Sequence, residues 1–278
     1  MKKLISSIFF ILCIALTAQA QFFYNEIMTL DQASRECKDF IKRNFRKVSV
    51  KSFEDDGSMS KRFFCEKKFS KDFKEYKLYT RTGVGYKSLM IGNFDENQML
   101  IKTVDSSEIL VKTCFVNYDE SKRLSKTKTI SRSKDDDFIV ELTEEHVYLF
   151  ENERSIYPSG MWKIMQGKDS TFILFQMDEK GNIAIEKNSK SGAKYYYYYD
   201  SNNKLTDVVH QSEFKTDFVP DYIFEYDQKG QLSRMNTFAP TAERNIYWLY
   251  DYNDGLKVLE IIKSGKGETL GRFEYEYE

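Results

Sequence analysis

A short motif recurs through the C-terminal half of the chain and restricts it to a repetitive architecture. In its clearest copies an alternating stretch ends in an aromatic residue and an acidic one, and a polar turn then leads to an aliphatic residue five positions after the acid. Four such copies carry their acids at Asp178, Asp200, Asp227 and Asp251. Self-similarity at a short, nearly constant period indicates a tandem array of one supersecondary unit.

Weaker copies extend the array towards the N-terminus and keep the same five-residue offset between acid and aliphatic. They run from Phe94-Asp95 to Leu100, from Tyr118-Asp119 to Leu124, from Phe150-Glu151 to Ile156 and, earliest, from Phe53-Glu54 to Met59. Chance does not readily repeat one offset this often, so we interpret all of them as units of the array.

Each unit has the chemistry of a β-hairpin. Tyr222–Tyr226 alternates between ring-bearing and other residues, which is the two-residue period of a strand with one buried face. The aspartate opens a turn by accepting backbone N–H groups, and Gly181, Asn203 or Gly230 tolerates the left-handed position that follows. We therefore predict an all-β fold, an antiparallel sheet of tandem β-hairpin repeats that forms an open curved meander or a partly closed one.

Two units carry a resemblance to a known family. Tyr199-Asp200 through Leu205-Thr206 and Tyr226-Asp227 through Leu232-Ser233 resemble the YD-repeat family, which includes the Rhs-type proteins of bacteria. The resemblance is clearest over about residues 173 to 278 and continues in degenerate form back to about residue 90. It implies a sheet of repeated hairpins but little about activity, because large members use the repeats as shells or surface extensions. With no toxin-like segment after the array, we do not expect a toxin-delivery role.

One helix is predicted ahead of the array, from Thr29 to about Arg46. Its apolar residues, among them Leu30, Ala33, Cys37, Phe40, Ile41 and Phe45, recur at helical spacing. Thr29 or Asp31 could cap its start. We expect an N-terminal capping α-helix that covers the exposed end of the array, with docking of a partner helix as the alternative. Residues 21–85 then hold the helix and a first hairpin, and 86–278 hold the array, with a soft boundary near residue 85.

The first twenty residues predict export. Lys2 and Lys3 precede the apolar stretch Leu4–Leu16, and Ala18-Gln19-Ala20 offers small residues for cleavage between Ala20 and Gln21. The alternatives are an uncleaved anchor and a lipoprotein attached through Cys13. We expect a secreted or periplasmic protein without a membrane span after signal cleavage.

Charge argues against one class of partner. The chain has 42 basic and 43 acidic residues, and removal of the signal's two lysines leaves 40 against 43, a formal charge of −3. Nucleic-acid binding proteins usually show a basic excess or stripe, so no nucleic acid is expected as a partner.

Residues suited to catalysis are scarce. His146 and His210 are the only histidines, and we interpret His146 as a core residue and His210 as a surface residue. The repeat aspartates are explained by turn geometry, so we predict no enzyme activity, no cofactor and no metal site. Cys37, Cys65 and Cys114 are interpreted as small buried residues with at most one disulfide among them.

The remaining candidate site is aromatic. Tyr195–Tyr199 places rings on both faces of one strand, so Tyr196 and Tyr198 face away from the core, and Tyr247 joins them as a candidate binding residue. Exposed tyrosines suit recognition of a protein or a glycan; alternatively, both faces of the sheet are buried. The sequence therefore predicts an exported, non-enzymatic binding or structural repeat protein of the bacterial envelope or exterior. The alternative is a secreted, glycosidase-like hydrolase with a carboxylate pair in a groove between hairpins. Ligand and oligomeric state stay open.

Overall fold

A computed structural model of the protein describes residues 22–82, 87–135, 140–238 and 245–278. The predicted signal peptide with its cleavage point, and the soft boundary near residue 85, lie outside these ranges. One helix, α1 (Tyr24–Arg43), precedes eighteen strands in the described part of the chain. The strands are β1 (Lys47–Phe53), β2 (Phe64–Phe69), β3 (Glu75–Arg81), β4 (Lys87–Phe94), β5 (Leu100–Ser106), β6 (Leu110–Tyr118), β7 (Leu124–Ser133), β8 (Glu141–Leu149), β9 (Gly160–Met165), β10 (Asp169–Met177), β11 (Ile183–Asn188), β12 (Lys194–Tyr199), β13 (Leu205–Gln211), β14 (Tyr222–Tyr226), β15 (Leu232–Thr237), β16 (Ile246–Asn253), β17 (Leu256–Ser264) and β18 (Thr269–Tyr277).

The strands form a single antiparallel meander that closes into a barrel. Every strand pairs with the next one in sequence, and β18 pairs with β1 from Val48↔Tyr277 to Phe53↔Arg272. The all-β, antiparallel hairpin array was predicted, but the closure exceeds the open or partly closed sheet expected from the sequence. Closure pairs the backbone N–H and C=O groups that the two end strands would otherwise expose.

The motif builds a uniform turn in the five copies whose acids are Asp95, Asp119, Asp178, Asp200 and Asp227. In the copy at Asp227, its backbone N–H donates to the carbonyl of Gln231 at 2.8 Å, and its Oδ1 accepts the Gln231 N–H at 2.8 Å. Gly230, three residues after the acid, has φ 78°. The corresponding positions Gln98, Lys122, Gly181 and Asn203 are also left-handed. The turn role predicted for these aspartates is confirmed.

Two copies of the motif depart from this geometry. Asp251 lies within β16, opposite Leu259, and its hairpin turns instead at Asp254 and Gly255, where φ is 48° and 79°. The turn role predicted for Asp251 is therefore wrong. The copy at Glu151 is also not such a hairpin, because β9 begins only at Gly160 and Ile156 is 80% exposed in the intervening loop.

The motif's tyrosines join neighbouring hairpins. In three of them, the hydroxyl donates to the carbonyl of the aliphatic residue that starts the returning strand of the preceding unit. These bonds are Tyr118 to Leu100 at 3.0 Å, Tyr199 to Ile183 at 2.8 Å and Tyr226 to Leu205 at 2.8 Å. The tyrosine of the repeat thus supplies both an inward ring and a tie between successive turns.

Helix α1 begins earlier than predicted. It spans Tyr24–Arg43 instead of starting at Thr29, and neither Thr29 nor Asp31 caps it, because both lie inside the helix. The carboxylate of Glu186 on β11 accepts the backbone N–H groups of Phe23 and Tyr24, each at 3.0 Å, and so caps the helix from the barrel wall. A cap supplied from a residue 163 positions away leaves no local sequence signature.

The helix lies within the ring, across one of its ends. Its side chains contact strands in separate parts of the ring: Glu26 bonds to β7 and β8, Glu36 to β2, and Phe40 packs on β2 and β18. It also contacts a turn at one end, where Arg43 bonds to Asp254. The predicted capping helix therefore covers the barrel interior and not a free end of the array. We call this end, which carries the Tyr-Asp turns, the closed end, and the opposite end the open end.

Candidate functional site

On the side of the barrel formed by β5–β8, inward side chains change from buried to partly exposed towards the open end. On β6, Val116 near the closed end is 4% exposed, whereas Cys114 and then Lys112, the next inward residues towards the open end, are partly exposed. On β8, His146 is buried and Glu144 is partly exposed. Solvent therefore reaches the inner wall of the open half, and we call this space the chamber.

Part of the chamber wall is polar and is built from β5, β6 and β7. Asp105 and Lys112 are direct cross-strand partners, and Lys112 also lies opposite Ser131. Residues paired in this way point to the same face of the sheet. One row nearer the closed end, Thr103, Cys114 and Thr129 are aligned likewise. These six residues form what we call the chamber patch.

The floor of the chamber is a hydrogen-bonded charge cluster between α1 and the wall. Glu26 Oε2 lies 2.6 Å from His146 Nδ1, and His146 Nε2 lies 2.9 Å from Glu144 Oε1. Thr127 donates to the other oxygen of Glu26 at 3.0 Å, and Lys163 Nζ lies 3.0 Å from Glu144 Oε2. Both nitrogens of the imidazole are thus bonded to carboxylates.

The cluster keeps its members charged. Burial disfavours the imidazolium, but the Glu26 and Glu144 carboxylates outweigh it and raise the pKa of His146 to about 9. Burial likewise opposes ionisation of Glu144, but His146 and Lys163 lower its pKa to about 2. The same contacts with His146 hold the pKa of Glu26 below its usual value against burial. The floor is a fixed ionic structure at neutral pH.

Glu186 anchors the helix beside this floor. Besides the two backbone N–H groups, its carboxylate accepts the Tyr197 hydroxyl at 2.9 Å. Burial raises the pKa of Glu186 to about 7, against the opposing effect of these hydrogen bonds. The amino end of α1 is therefore fixed by one buried carboxyl on the wall.

Lysines on the inner wall differ in whether the fold gives them a partner. Lys67, Lys163 and Lys257 lie 2.5, 3.0 and 2.8 Å from the carboxylates of Glu36, Glu144 and Glu260, respectively. Lys112 has no carboxylate within 4.0 Å among the described residues.

The two charges of the chamber patch are partly desolvated, and no ion pair within 4.0 Å involves either of them among the described residues. Burial lowers the pKa of Lys112, although Cys114 and Glu144 nearby act in the opposite direction. Burial raises the pKa of Asp105, and the charge of Lys112 offsets this only in part. Both groups are thus shifted towards their neutral forms, a property that clusters at functional sites.

The tyrosines predicted to form a binding face do point outward, as their strand parity requires. Tyr195 and Tyr197 are buried, whereas Tyr198 is 48% exposed. The Tyr196 ring lies 5.3 Å from that of Phe218, and its hydroxyl donates to Gln211 at 3.1 Å.

Tyr247 is separated from the other two tyrosines. It shares a cross-strand row with Tyr198 but lies four strands away, which corresponds to about 19 Å at the usual strand spacing. The guanidinium of Arg234 stacks 4.7 Å from its ring centroid. The structure therefore does not bring the three predicted rings into one patch.

The histidine and cysteine predictions have mixed outcomes. His146 is a buried residue with satisfied nitrogens, as predicted. His210 is not a surface residue, because it faces Tyr195 in register and their rings stack at 4.6 Å on the inner face. Cys37, Cys65 and Cys114 form no disulfide with one another.

The described residues contain no group of three or more His, Cys, Asp or Glu side chains placed to hold a metal ion. They also contain no helix with the length and apolar character needed to cross a membrane.

Comparisons with known proteins reach the level of solved structures only. The chain matches no protein-family model, and a search of curated proteins found no match. It is similar to a porin-like protein from Bacteroides uniformis ATCC 8492, at 12% identity and a TM-score of 0.33, with 84% of this chain and 98% of that one covered. A porin-like protein from Bacteroides vulgatus ATCC 8482 gives 9% identity and a TM-score of 0.31, with 84% and 98% covered. A TcdB2-TccC3-Cdc42 structure gives 9% identity and a TM-score of 0.29, with 78% of this chain and 16% of that one covered.

The sequence interpretation missed the polar interior. Lys112, Cys114 and Val116 alternate with outward residues on one strand, so their common face follows from the two-residue period. Tyr148 on β8 is buried, so the same two-residue period places His146 and Glu144 on the inner face as well. What the sequence did not supply was the closure that turns this face into a chamber.

Proposed function

We propose that this is an exported, non-enzymatic binding protein that takes a small ligand into the chamber. The observation that carries the proposal is the contrast along the inner wall of β5–β8, where side chains near α1 are buried and those towards the open end are polar and partly exposed. Binding sites for small molecules are typically concave, preformed and equipped with a few convergent polar groups. The chamber patch supplies such polar groups on the inner wall of the closed barrel.

The anchored helix supports the same function. A concave site needs a floor that does not collapse into it or move away, and α1 is held at several points of the wall. Glu186 fixes its amino end, His146 and Thr127 hold Glu26, and Arg43 bonds to a turn at its other end. Pre-organisation of this kind lowers the entropic cost of binding.

The hydrolase alternative fits the interior carboxylates less well. A glycosidase needs one carboxylic acid with a raised pKa to protonate the leaving group. Glu26 and Glu144 bond to the same imidazole, and both have lowered pKa values. Glu186 has a pKa raised to about 7, but the residue is 3% exposed and its carboxyl is engaged in capping α1. Asp105 also has a raised pKa, but its direct cross-strand partner is a lysine and not a second carboxylate. The carboxylates of five hairpin turns are engaged with backbone N–H groups.

Native mass spectrometry of the exported protein tests the proposal. We expect a small added mass on the wild-type protein that is lost on denaturation. Thr129→Trp and Ser131→Trp, which place a bulky ring on the inner wall, should reduce this occupancy strongly. Lys128→Trp puts the same ring on the outer face of the same strand and should leave occupancy unchanged.

Two outcomes contradict the chamber as a ligand site. One is equal occupancy in Thr129→Trp, Ser131→Trp and Lys128→Trp, provided that all three fold as judged by circular dichroism. The other is a wild-type protein that carries no added mass and is not stabilised against heat by any member of a small-molecule library.

A second candidate function is glycan or protein binding on the outer face. It is favoured by the exposed ring of Tyr198 beside Tyr196 and by the 57% exposed Phe218 next to them. A glycan array with wild-type protein and the Tyr196→Ala/Tyr198→Ala double variant tests the glycan form. Absence of any wild-type glycan binding, or equal binding by the variant, argues against it.

Family membership and export are parts of the proposal that rest on the sequence. The uniform aspartate turns and the tyrosine ties support the assignment to YD-like repeats. Export is supported by the three-part leader, and N-terminal analysis of the protein from an exporting bacterium should find a chain that begins at Gln21. A retained leader or a lipid on Cys13 would instead favour one of the two alternatives.

A further inference from the structure

We infer that the chamber binds a small zwitterion, such as an α-amino acid, whose carboxylate contacts the Lys112 ammonium and whose ammonium contacts the Asp105 carboxylate. This inference rests on the proposed function and specifies the ligand class of the same site.

The placement of the two side chains is the first ground. Asp105 and Lys112 are directly opposed on β5 and β6, so their Cβ atoms lie about 5 Å apart on the same face of the sheet. Val116, on the same face of β6, packs in the core cluster beneath α1, which fixes that face as the inner one. Both charged groups therefore project into the chamber from adjacent strands.

Their lack of a partner is the second ground. The fold neutralises Lys67, Lys163 and Lys257 with a carboxylate each, but no ion pair within 4.0 Å involves Lys112 or Asp105 among the described residues. A partly buried charge without a compensating contact is costly. Evolution commonly tolerates such a cost where a ligand supplies the missing contact.

Charge balance selects a zwitterion over a simple ion. An anion would contact Lys112 but would be repelled by Asp105 on the next strand. A cation would contact Asp105 but would be repelled by Lys112. A molecule with both charges a few ångströms apart satisfies both groups and keeps the chamber neutral. The short separation of carboxylate and ammonium in an α-amino acid suits two residues on neighbouring strands.

Hydroxyl groups complete the polar surroundings. Thr103, Thr129 and Ser131 share the face of the two charges and are partly exposed. They can donate to a carboxylate or accept from an ammonium. Cys114 lies between the two threonines and adds a small, weakly polar surface there.

Saturation-transfer NMR with the full-length mature protein tests the inference. The probes are an equimolar mixture of the twenty amino acids, with propionate and ethylamine as singly charged controls. We expect at least one amino acid to bind the protein. Propionate and ethylamine should bind the protein at least about tenfold more weakly, because each lacks one of the two charged contacts.

Substitutions assign the contacts. Lys112→Met and Asp105→Asn should each lower the affinity for the bound amino acid about tenfold or more. Lys128→Met, which removes an outward lysine from the neighbouring strand, should leave it unchanged. Circular dichroism and thermal unfolding verify that the variants are folded, and a conservative Lys112→Arg variant that retains part of the affinity guards against a purely steric effect.

The outcomes separate this inference from the proposed function. If Thr129→Trp removes the native ligand while Lys112→Met and Asp105→Asn retain it, the zwitterion assignment is overturned and the chamber remains the site. Propionate or ethylamine binding as tightly as the amino acids also overturns the assignment. If none of the amino acids binds, the assignment fails, whatever mass the native protein carries.

Discussion

The two halves of the barrel interior are made by the same strands and differ in what fills them. At the closed end, inward residues such as Met161, Ile173 and Ile183 are fully buried beneath α1. Towards the open end, the inward residues Asp105, Lys112 and Ser131 on β5–β7 are polar and partly exposed. On this side of the barrel, the tandem repeat specifies the wall and its turns, while the position of α1 separates the packed part of the interior from the part that solvent reaches.

The strongest test of this division compares two inward residues. Met161→Ala, in the closed half, removes a side chain with 0% exposure and should destabilise the protein by about 3 kcal/mol. Thr129→Ala, in the chamber, should cost less than about 1 kcal/mol because the side chain already contacts solvent. Urea unfolding followed by tryptophan fluorescence measures both. Equal losses would mean that the two halves are packed alike.

The free energy of unfolding should depend on pH through His146, which lies at the boundary between the two halves. Its folded pKa of about 9 exceeds the unfolded value of 6.5, so the folded protein retains a proton that the unfolded chain releases. The stabilisation is therefore fully present below pH 6.5 and is lost as the pH rises through about 9. At pH 6, His146→Gln should cost roughly 2 kcal/mol, a figure reduced for the partial exposure of the two carboxylates.

The measurement for His146 is a series of urea unfolding curves from pH 6 to pH 10. The difference between wild type and His146→Gln should shrink across this range. His210→Gln is the control, since its pKa is lowered by burial and it lies outside the charge cluster. A difference that stays constant with pH would show that the imidazole is not held charged.

At the closed end, the turns themselves should respond to loss of their acids. Asp227→Ala removes the acceptor of two backbone N–H groups, from Lys229 and Gln231, and should cost about 1 kcal/mol by analogy with loss of a helix cap. Asp251→Ala, in a strand rather than a turn, should cost less than about 0.5 kcal/mol. Thermal unfolding compares the two, and the reverse ranking would contradict the turn geometry.

These aspartates also show what sequence can and cannot predict. A turn is formed by residues that are neighbours in sequence. The residues around Asp178, Asp200 and Asp227 were therefore enough to predict their turn role. The pattern around Asp251 was similar, but the stronger Asn-Asp-Gly turn two residues later determined the hairpin. Local competition of this kind is decided by small energy differences, which a motif does not reveal.

Features that depend on distant residues were harder to predict. The true start of α1 is set by Glu186, and closure of the ring depends on β1 meeting β18, more than two hundred residues apart. The outward orientation of Tyr196 and Tyr198 followed from parity alone. The chamber patch needed parity and closure together, and for that reason the sequence pointed to the outer face instead.

The smallest expected effect concerns the tie between neighbouring turns at the closed end. Tyr226→Phe keeps the inward ring and removes only the hydroxyl that donates to the Leu205 carbonyl, which should cost about 1 kcal/mol. Tyr198→Phe removes a hydroxyl from a half-exposed ring on the outer face and should have almost no effect. Differential scanning calorimetry resolves both. If the two variants unfold at the same temperature as wild type, the tyrosine ties do not stabilise the closed end, and the repeat retains its tyrosines for the ring alone.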